Sequence, residues 1–185
     1  RVTNGSSDLR HTTPYRPVTR RLMRPTEESH GLRPSHAHPT ARVTPVPEHE
    51  RDDAFAELLL GADPGAERFH IFTTLARHPG LFRRWMAFAG KLLLGGTLPA
   101  RHREIVILRT LWLVRAHNEW YEHVRIARRY GITSTDIDRA IEGPDAAGWS
   151  DLDRALMRLA DELHHDSHVS DETWAVCAAS YDDRQ

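Results

Sequence analysis

From Glu48 to the end of the chain, apolar residues recur at intervals of three and four, and this period constrains the fold more than any other feature of the sequence. Such spacing places apolar side chains along one face of an α-helix, where they pack against a neighbouring element. No segment shows the alternation of apolar and polar residues that marks a half-buried strand. The period therefore predicts an all-α fold, an antiparallel bundle of helices joined by short loops.

Start and stop signals divide this region into separate helices. Gly131 suits the left-handed end of one helix, and Thr133 followed by Asp136 resembles a capping box that opens the next. Ser150 and Ser170 are placed to cap the last two helices. The first two predicted helices end at Gly61 and before Pro79, and the third runs from Leu81 to Leu94. The fourth begins near Pro99, and the fifth runs from Glu119 to Tyr130. The sixth runs from Thr133 to Gly143, and the last two begin at Ser150 and Ser170.

Residues 1–47 have a different composition. They hold 7 of the 11 prolines, eight arginines against three acidic residues, and no tryptophan. A segment of this kind buries too little apolar area to offset the conformational entropy lost on ordering. We therefore predict a disordered Pro/Arg-rich tail at 1–47 and one helical domain at 48–185.

Composition excludes several classes of protein. The chain has 25 basic and 26 acidic residues, so no net field attracts nucleic acid or an anionic membrane. Its single cysteine, Cys177, rules out an intramolecular disulfide and a two-thiol redox centre within one subunit. Arg109 interrupts the longest apolar run, at 105–114, which is shorter than the roughly 20 residues that span a bilayer. Because no apolar segment follows the Arg20-Arg21 pair, the expected location is the cytoplasm.

The densest group of polar residues in an apolar setting lies at 115–123, Arg-Ala-His-Asn-Glu-Trp-Tyr-Glu-His. Glu119 and His123 are four residues apart, so on a helix they share a face and a carboxylate is able to meet an imidazole. Glu104 opens an apolar segment, and a carboxylate buried there needs a partner. If the helices on either side of the bend at 115–118 run antiparallel, Glu104 approaches His123. The competing interpretation of Glu119 and His123 is an ordinary surface ion pair.

Two longer segments carry a resemblance to a known family. They are Leu-Pro-Ala-Arg-His-Arg-Glu-Ile-Val-Ile-Leu-Arg at 98–109 and Glu-Trp-Tyr-Glu-His-Val-Arg-Ile-Ala-Arg-Arg-Tyr-Gly at 119–131. Shorter matches follow at 143–145, 149–150, 152–156 and 181–185. Together they resemble the signature region of the carboxymuconolactone decarboxylase / alkylhydroperoxidase D-like family. The resemblance covers about residues 43–185 and implies a helical bundle of that type, which commonly assembles as homotrimers or homohexamers.

The resemblance also bears on chemistry. Peroxidase members of the family carry Cys-x-x-Cys-x-x-x-His, and the two cysteine positions correspond here to Ala116 and Glu119. Without those thiols, reduction of a hydroperoxide lacks its nucleophile, and Cys177 is interpreted as a packed core thiol. The remaining residues favour the family's decarboxylases, which act on a small carboxylated lactone and need no metal or organic cofactor.

On this interpretation His123 moves the proton, while Glu119 and Glu104 set its ionisation and orientation. Candidates to hold a substrate carboxylate are Arg109 and Arg115, and candidates to wall the pocket are Trp120 and Tyr121. The expected partner is a small-molecule substrate, with no cofactor, metal, nucleic acid or membrane involved.

Three alternatives stay open. Residues 126–141 have the spacing of a helix-turn-helix, although Asp136, Asp138 and Glu142 would repel phosphates. A metal site could draw on His102, Glu104, His117, Glu119 and His123, or on the histidines at 164–168, since such ligands suit zinc or iron. The third alternative is a non-catalytic oligomeric scaffold. Family members usually continue beyond Asp-Asp-Arg-Gln, so a chain that stops at Gln185 is expected to be truncated and to leave the pocket open.

Overall fold

The computed structural model describes residues 42–60 and 65–185, and within them every regular element is helical. Short 3-10 helices at Glu48–Glu50 and Ala66–Arg68 precede the first two α-helices. The α-helices are α1 (Asp53–Leu59), α2 (His70–Leu75), α3 (Pro79–Leu93), α4 (Ala100–Val114), α5 (His117–Arg129), α6 (Ser134–Glu142), α7 (Asp151–Asp166) and α8 (Asp171–Ala178). The predicted all-α fold class is confirmed.

Side-chain caps fix the starts of the last three helices as predicted. At α6, Thr133 Oγ1 accepts the Asp136 N–H at 3.1 Å and Asp136 Oδ2 accepts the Thr133 N–H at 3.0 Å, which is the predicted capping box. Ser150 and Ser170 each accept a backbone N–H at the starts of α7 and α8. Gly131 has a φ of +80°, the left-handed conformation that a helix end requires.

Two helices begin two residues earlier than predicted. The first turn of α3 starts at Pro79 because His78 Nδ1 accepts the Leu81 N–H at 3.1 Å, so the proline that ends one helix also opens the next. The first turn of α5 starts at His117 rather than Glu119, because the Trp120 N–H already bonds to the Ala116 carbonyl at 2.9 Å. Most of the predicted polar bend is therefore helical.

The helix α4 lies at the centre of the larger core and packs against α5, α6 and α7, while α7 also packs against α8. Its Ile105 and Leu108 are fully buried. Around them lie the buried side chains Trp120, Val124, Ala127, Ile132, Ile137, Ala140, Ala146, Trp149, Ala155, Leu156, Met157 and Cys177. The central position of α4 means that any polar residue on its inner face is shielded from water on all sides.

A second, smaller core joins the segments before α4. Val46, Leu59, Ala66, Ala76 and Phe82 are buried in it, and Phe72 lies against Phe82 and Trp85 in edge-to-face contacts. The Val46 N–H donates to the Thr73 carbonyl at 3.0 Å. Residues 44–46 thus pack against α2, although they fall in the tail predicted from composition.

The rest of that predicted tail, residues 1–41, lies outside the described residues, as does the predicted helix end at Gly61. Within the described part of the chain, no helix is both long and apolar enough to cross a membrane.

Candidate functional site

Glu104 is the most unusual residue of the larger core, since its carboxylate is fully buried on the inner face of α4. Both of its oxygens are bonded: Oε2 lies 2.8 Å from His123 Nδ1, and Oε1 accepts from Arg103 Nε at 3.1 Å. A buried carboxylate without such partners would be strongly unfavourable. The two contacts therefore give both oxygens a partner where water does not reach them.

His123 reaches Glu104 because the chain reverses between α4 and α5. Arg115, at the end of α4, adopts a φ of +58°, and α5 then runs back along α4. The corner lies eleven residues after Glu104 and eight residues before His123, and the two side chains meet across the pair of helices. The predicted approach of Glu104 to His123 is confirmed.

The contact also determines which imidazole nitrogen is free to react. When the Glu104 carboxylate is ionised it only accepts hydrogen bonds, so in that state His123 Nδ1 is the donor. Nε2 is then the nitrogen left to take up or release a proton. The His123 side chain is 15% exposed, whereas that of Glu104 has no exposure, so the imidazole is the part of the pair that solvent reaches.

Glu119 takes a different position from the one predicted. It forms no hydrogen bond or ion pair with His123; its half-buried side chain lines a cavity between α5 and the α2–α3 segment. On a helical wheel the two residues lie roughly 40° apart. His123 is not among the residues that line the cavity, and the shared helix face did not produce a contact with Glu119.

The cavity has a volume of about 680 Å³ and is lined from both sides. Arg68, Phe69 and His70 line it on one side, Trp85 of α3 also lines it, and Glu119 and Tyr121 line it from α5. Its size fits a small organic molecule. Spacing along the chain gave no signal for Arg68, Phe69 or Trp85, because the cavity forms between segments about 50 residues apart.

The two arginines proposed from sequence as anion holders have other positions. Arg109 is buried and binds a carboxylate of its own chain, with Nε 2.5 Å and Nη2 2.8 Å from the two oxygens of Asp161. Its Nη1 donates to the carbonyls of Ala140 and Ile141, both at 3.0 Å. Arg115 is exposed at the corner after α4. Neither of them lines the cavity.

Arg68 is the arginine that does line it. Its guanidinium forms no ion pair or hydrogen bond within the part of the chain that the structure describes, and it lies against the backbone of Gly65. A Cβ at Gly65 would come within 2.3 Å of Arg68 Nη2, and Gly65 also has a φ of +86°. Glycine at this position therefore leaves room for the guanidinium.

The aromatic residues proposed as pocket walls divide between two environments. Trp120 is fully buried and packs against Trp112, with ring centroids 5.6 Å apart. Tyr121 is 57% exposed and does line the cavity. Only Tyr121 therefore has a position from which it contacts a bound molecule.

Cys177, His102 and Tyr181 are engaged in contacts within the helical domain. Cys177 is buried in the larger core, and that burial, with the Glu162 charge, raises the pKa of its thiol. His102 Nδ1 lies 2.6 Å from Tyr181 Oη, and burial, with nearby Cys177 and Asp153, raises the pKa of Tyr181 to about 12. Among the described residues, no three or more His, Cys, Asp or Glu side chains form a cluster suited to a metal ion.

The model of the carboxymuconolactone decarboxylase family matches residues 79–162, a segment that runs from the start of α3 into α7 and includes Glu104 and His123. The comparisons with curated proteins and with solved structures gave no match.

Proposed function

Because residues 79–162 belong to the carboxymuconolactone decarboxylase family, we propose that the chain is an acid/base enzyme that decarboxylates a small carboxylated lactone or a related organic acid. The observation that carries the proposal is the 2.8 Å contact between His123 Nδ1 and the fully buried carboxylate of Glu104. A buried carboxylate that holds an imidazole in one tautomer is a common arrangement for a residue that transfers protons.

In the proposed reaction, the bond between the substrate and its carboxylate carbon breaks and carbon dioxide leaves. The electron pair of that bond delocalises onto an adjacent carbonyl, and a proton is then delivered to the carbon. His123 supplies this proton from Nε2, and Glu104 stabilises the imidazolium and keeps its orientation. Removing either group is expected to lower the rate of proton delivery by about 10²- to 10⁴-fold.

The cavity between α5 and the α2–α3 segment is the proposed binding site. Arg68 binds a substrate carboxylate, a role for which it is suited because its guanidinium is not engaged by the described residues. Trp85 and Tyr121 contact the apolar part of the substrate. Glu119 lines the cavity one helical turn before His123 on α5, so its proposed role is contact with the reacting end and not orientation of the imidazole.

The test is carbon dioxide release from a panel of carboxylated lactones and β-keto acids between pH 5 and pH 9. His123→Gln should lower kcat by at least about 10²-fold, while Arg68→Gln should raise KM at nearly unchanged kcat. His165→Gln is the matched control, since His165 is an exposed histidine on α7 whose Nδ1 bonds to the Asp161 carbonyl. Turnover that survives His123→Gln would overturn the assigned role of this residue.

A non-catalytic scaffold is the second candidate function. It is favoured by one observation, that His123 does not line the cavity formed within one chain. Absence of release by the wild type from every compound and at every pH would favour this candidate. Peroxidase activity has no comparable support, because the cysteine positions of that mechanism are Ala116 and Glu119 and Cys177 is buried.

A further inference from the structure

The pair formed by Glu104 and His123 is able to hold one added proton in two ways. In the first state the carboxylate is ionised and both imidazole nitrogens are protonated. In the second state the carboxylic acid donates to Nδ1, and the neutral imidazole has its proton on Nε2. The 2.8 Å contact between Glu104 Oε2 and His123 Nδ1 is compatible with both states. Burial alone favours the second, because that state places no charge in the core.

Arg103 is the cation beside this pair. Its Nε donates at 3.1 Å to Glu104 Oε1, the oxygen that does not face His123. The Arg103 side chain is 16% exposed and that of Glu104 has no exposure, so solvent screens the two charges only weakly. A hydrogen bond from a cation favours the ionised form of a carboxylate. Arg103 therefore opposes the effect of burial and favours the first state.

The Arg103 guanidinium is supported from the neighbouring helix. Its Cζ lies 5.4 Å from the centroid of the Tyr130 ring, a cation–π contact between the beginning of α4 and the end of α5. Consecutive residues of a helix point in different directions, so a contact between the side chains of Arg103 and Glu104 needs support from outside the helix. The Tyr130 ring provides that support.

The other arginines on the inner side of α4 bind different carboxylates. Arg101 Nη1 lies 2.7 Å from Asp153 Oδ1, and Arg109 forms its bidentate pair with Asp161. Within the described part of the chain, the ion pair of Arg103 with the neighbouring buried carboxylate is the one that it forms. Arg103 is therefore the arginine whose charge acts on the proton of this pair.

We propose that Arg103 is a positioning residue that holds the added proton on His123 and not on Glu104. Its contribution to catalysis rests on the proposed function, because an imidazolium is the form that delivers a proton from Nε2 and becomes a neutral imidazole. Arg103 does not line the cavity and acts through Glu104. The location of the proton is a property of the protein without substrate, so it is measured independently of any reaction.

The experiment is nitrogen NMR of the full chain labelled with ¹⁵N-histidine, recorded without substrate over a pH titration. The spectrum of His123→Gln identifies the His123 signals among those of the 13 histidines. In the pH interval where the pair carries one added proton, the wild type should show both His123 nitrogens protonated. Arg103→Met should instead show Nε2 protonated and Nδ1 unprotonated, because the proton then resides on Glu104.

Two further variants of the same residue separate the charge from the hydrogen bond. Arg103→Lys keeps the charge and should restore the wild-type spectrum. Arg103→Gln keeps an N–H donor without the charge and should resemble Arg103→Met, which it replaces if circular dichroism shows that the methionine variant is unfolded. Arg128→Met is the matched control, since Arg128 is an exposed arginine of α5 and should leave the His123 signals unchanged.

Tyr130 gives a second test that leaves Arg103 in place. Tyr130→Leu removes the ring and should populate both protonation states, whereas Tyr130→Phe keeps the ring and should match the wild type. Tyr130 is 44% exposed, so neither change opens the core. Wild-type spectra from Tyr130→Leu would contradict the supporting role of the ring.

Turnover connects the position of the proton to the reaction. Arg103→Met should lower kcat by at least about tenfold, since less of the enzyme carries the imidazolium. KM should change by less than about twofold, because Arg103 does not line the cavity.

Two results would overturn the inference: both nitrogens of His123 protonated in Arg103→Met, or Nδ1 unprotonated in the wild type under the same conditions. A lysine variant that resembles Arg103→Met would also overturn it, because the charge would then not decide where the proton lies. A wild type with the expected spectra but no turnover would support the inference and contradict the proposed function, so the two fail separately.

Discussion

Arg109 and Asp161 show how much a single residue depends on partners far along the chain. The sequence suggested that Arg109 holds a carboxylate, and it does, but the carboxylate belongs to α7, 52 residues away. Spacing within one segment predicts contacts inside a helix. It does not identify the residue of another helix that packs against a given side chain. The same limit explains why Arg68, remote from the polar cluster, had no signal.

Arg109→Met should therefore destabilise the fold instead of weakening substrate binding. It removes a buried bidentate pair and leaves Asp161 and two carbonyls without their donor, so we expect a loss of about 3–5 kcal/mol in the free energy of unfolding. Urea denaturation measures it. Arg158→Met is the control, because the Arg158–Asp145 pair is exposed and should contribute at most about 1 kcal/mol. Equal losses in the two variants would contradict the structural role of Arg109.

Glu162 is expected to make stability depend on acid pH. Its burial alone would raise the pKa of the carboxyl, but hydrogen bonds from the Ser170 N–H, the Thr173 hydroxyl and the Ser170 hydroxyl outweigh that effect and hold the pKa below its ordinary value. A lowered pKa stabilises the folded state at neutral pH. That stability is lost as pH falls below the ordinary value and through the folded one.

Glu162→Ala should accordingly lower the free energy of unfolding by about 1–3 kcal/mol at pH 7, because three donors lose their acceptor. The difference from the wild type should shrink as pH falls toward 3. Thermal unfolding at several pH values measures it, with Glu142→Ala, an exposed residue at the end of α6, as control. A difference that stays constant with pH would exclude the ionised carboxylate as the cause.

At the scale of single helices, the sequence was most informative where a side chain caps its own helix. The signals at Thr133, Ser150 and Ser170 depend on residues three apart, so the local sequence contains the whole interaction. The start of α5 was placed two residues late because Ala116 provides no side-chain cap. A helix whose start is fixed by packing leaves no such mark in the sequence.

Thr133→Ala should cost about 1 kcal/mol of stability, the usual loss when a helix N-cap is removed. The capping box of α6 loses both the acceptor of the Asp136 N–H and the hydroxyl that bonds to Asp136. Thr135→Ala, two residues further at an exposed position of the same helix, should change stability by less than about 0.5 kcal/mol. The two variants differ only in position, so similar urea midpoints would show that the box contributes nothing.

At the scale of the whole molecule, the two cores differ in size. Five buried residues form the smaller core among the described segments before α4, against fourteen in the core around α4. The sequence predicted the fold class, since helical period is repeated in every segment. It did not predict this division, nor the cavity beside it, because both depend on how α2 and α3 sit against α5.

Hydrogen exchange should show that the two cores differ in stability. Amides of α1, α2 and α3 should exchange at lower opening free energy than those of α4 and α7. Phe82→Ala, which removes the largest side chain of the smaller core at a cost of about 3–5 kcal/mol, should speed exchange in α1–α3 and leave α4 and α7 protected. Equal acceleration in all helices would mean that the chain opens as one cooperative unit.

The buried position of Glu104 also restricts the order in which related chains are able to replace Glu104 and His123 without a large loss of stability. Replacing His123 first leaves the carboxylate in the core with Arg103 as its remaining donor, a state about 3–5 kcal/mol less stable than the intact pair. Replacing Glu104 first by an apolar residue of similar volume removes the charge that needs compensation. A related chain that has lost the pair is therefore expected to have changed its glutamate before its histidine.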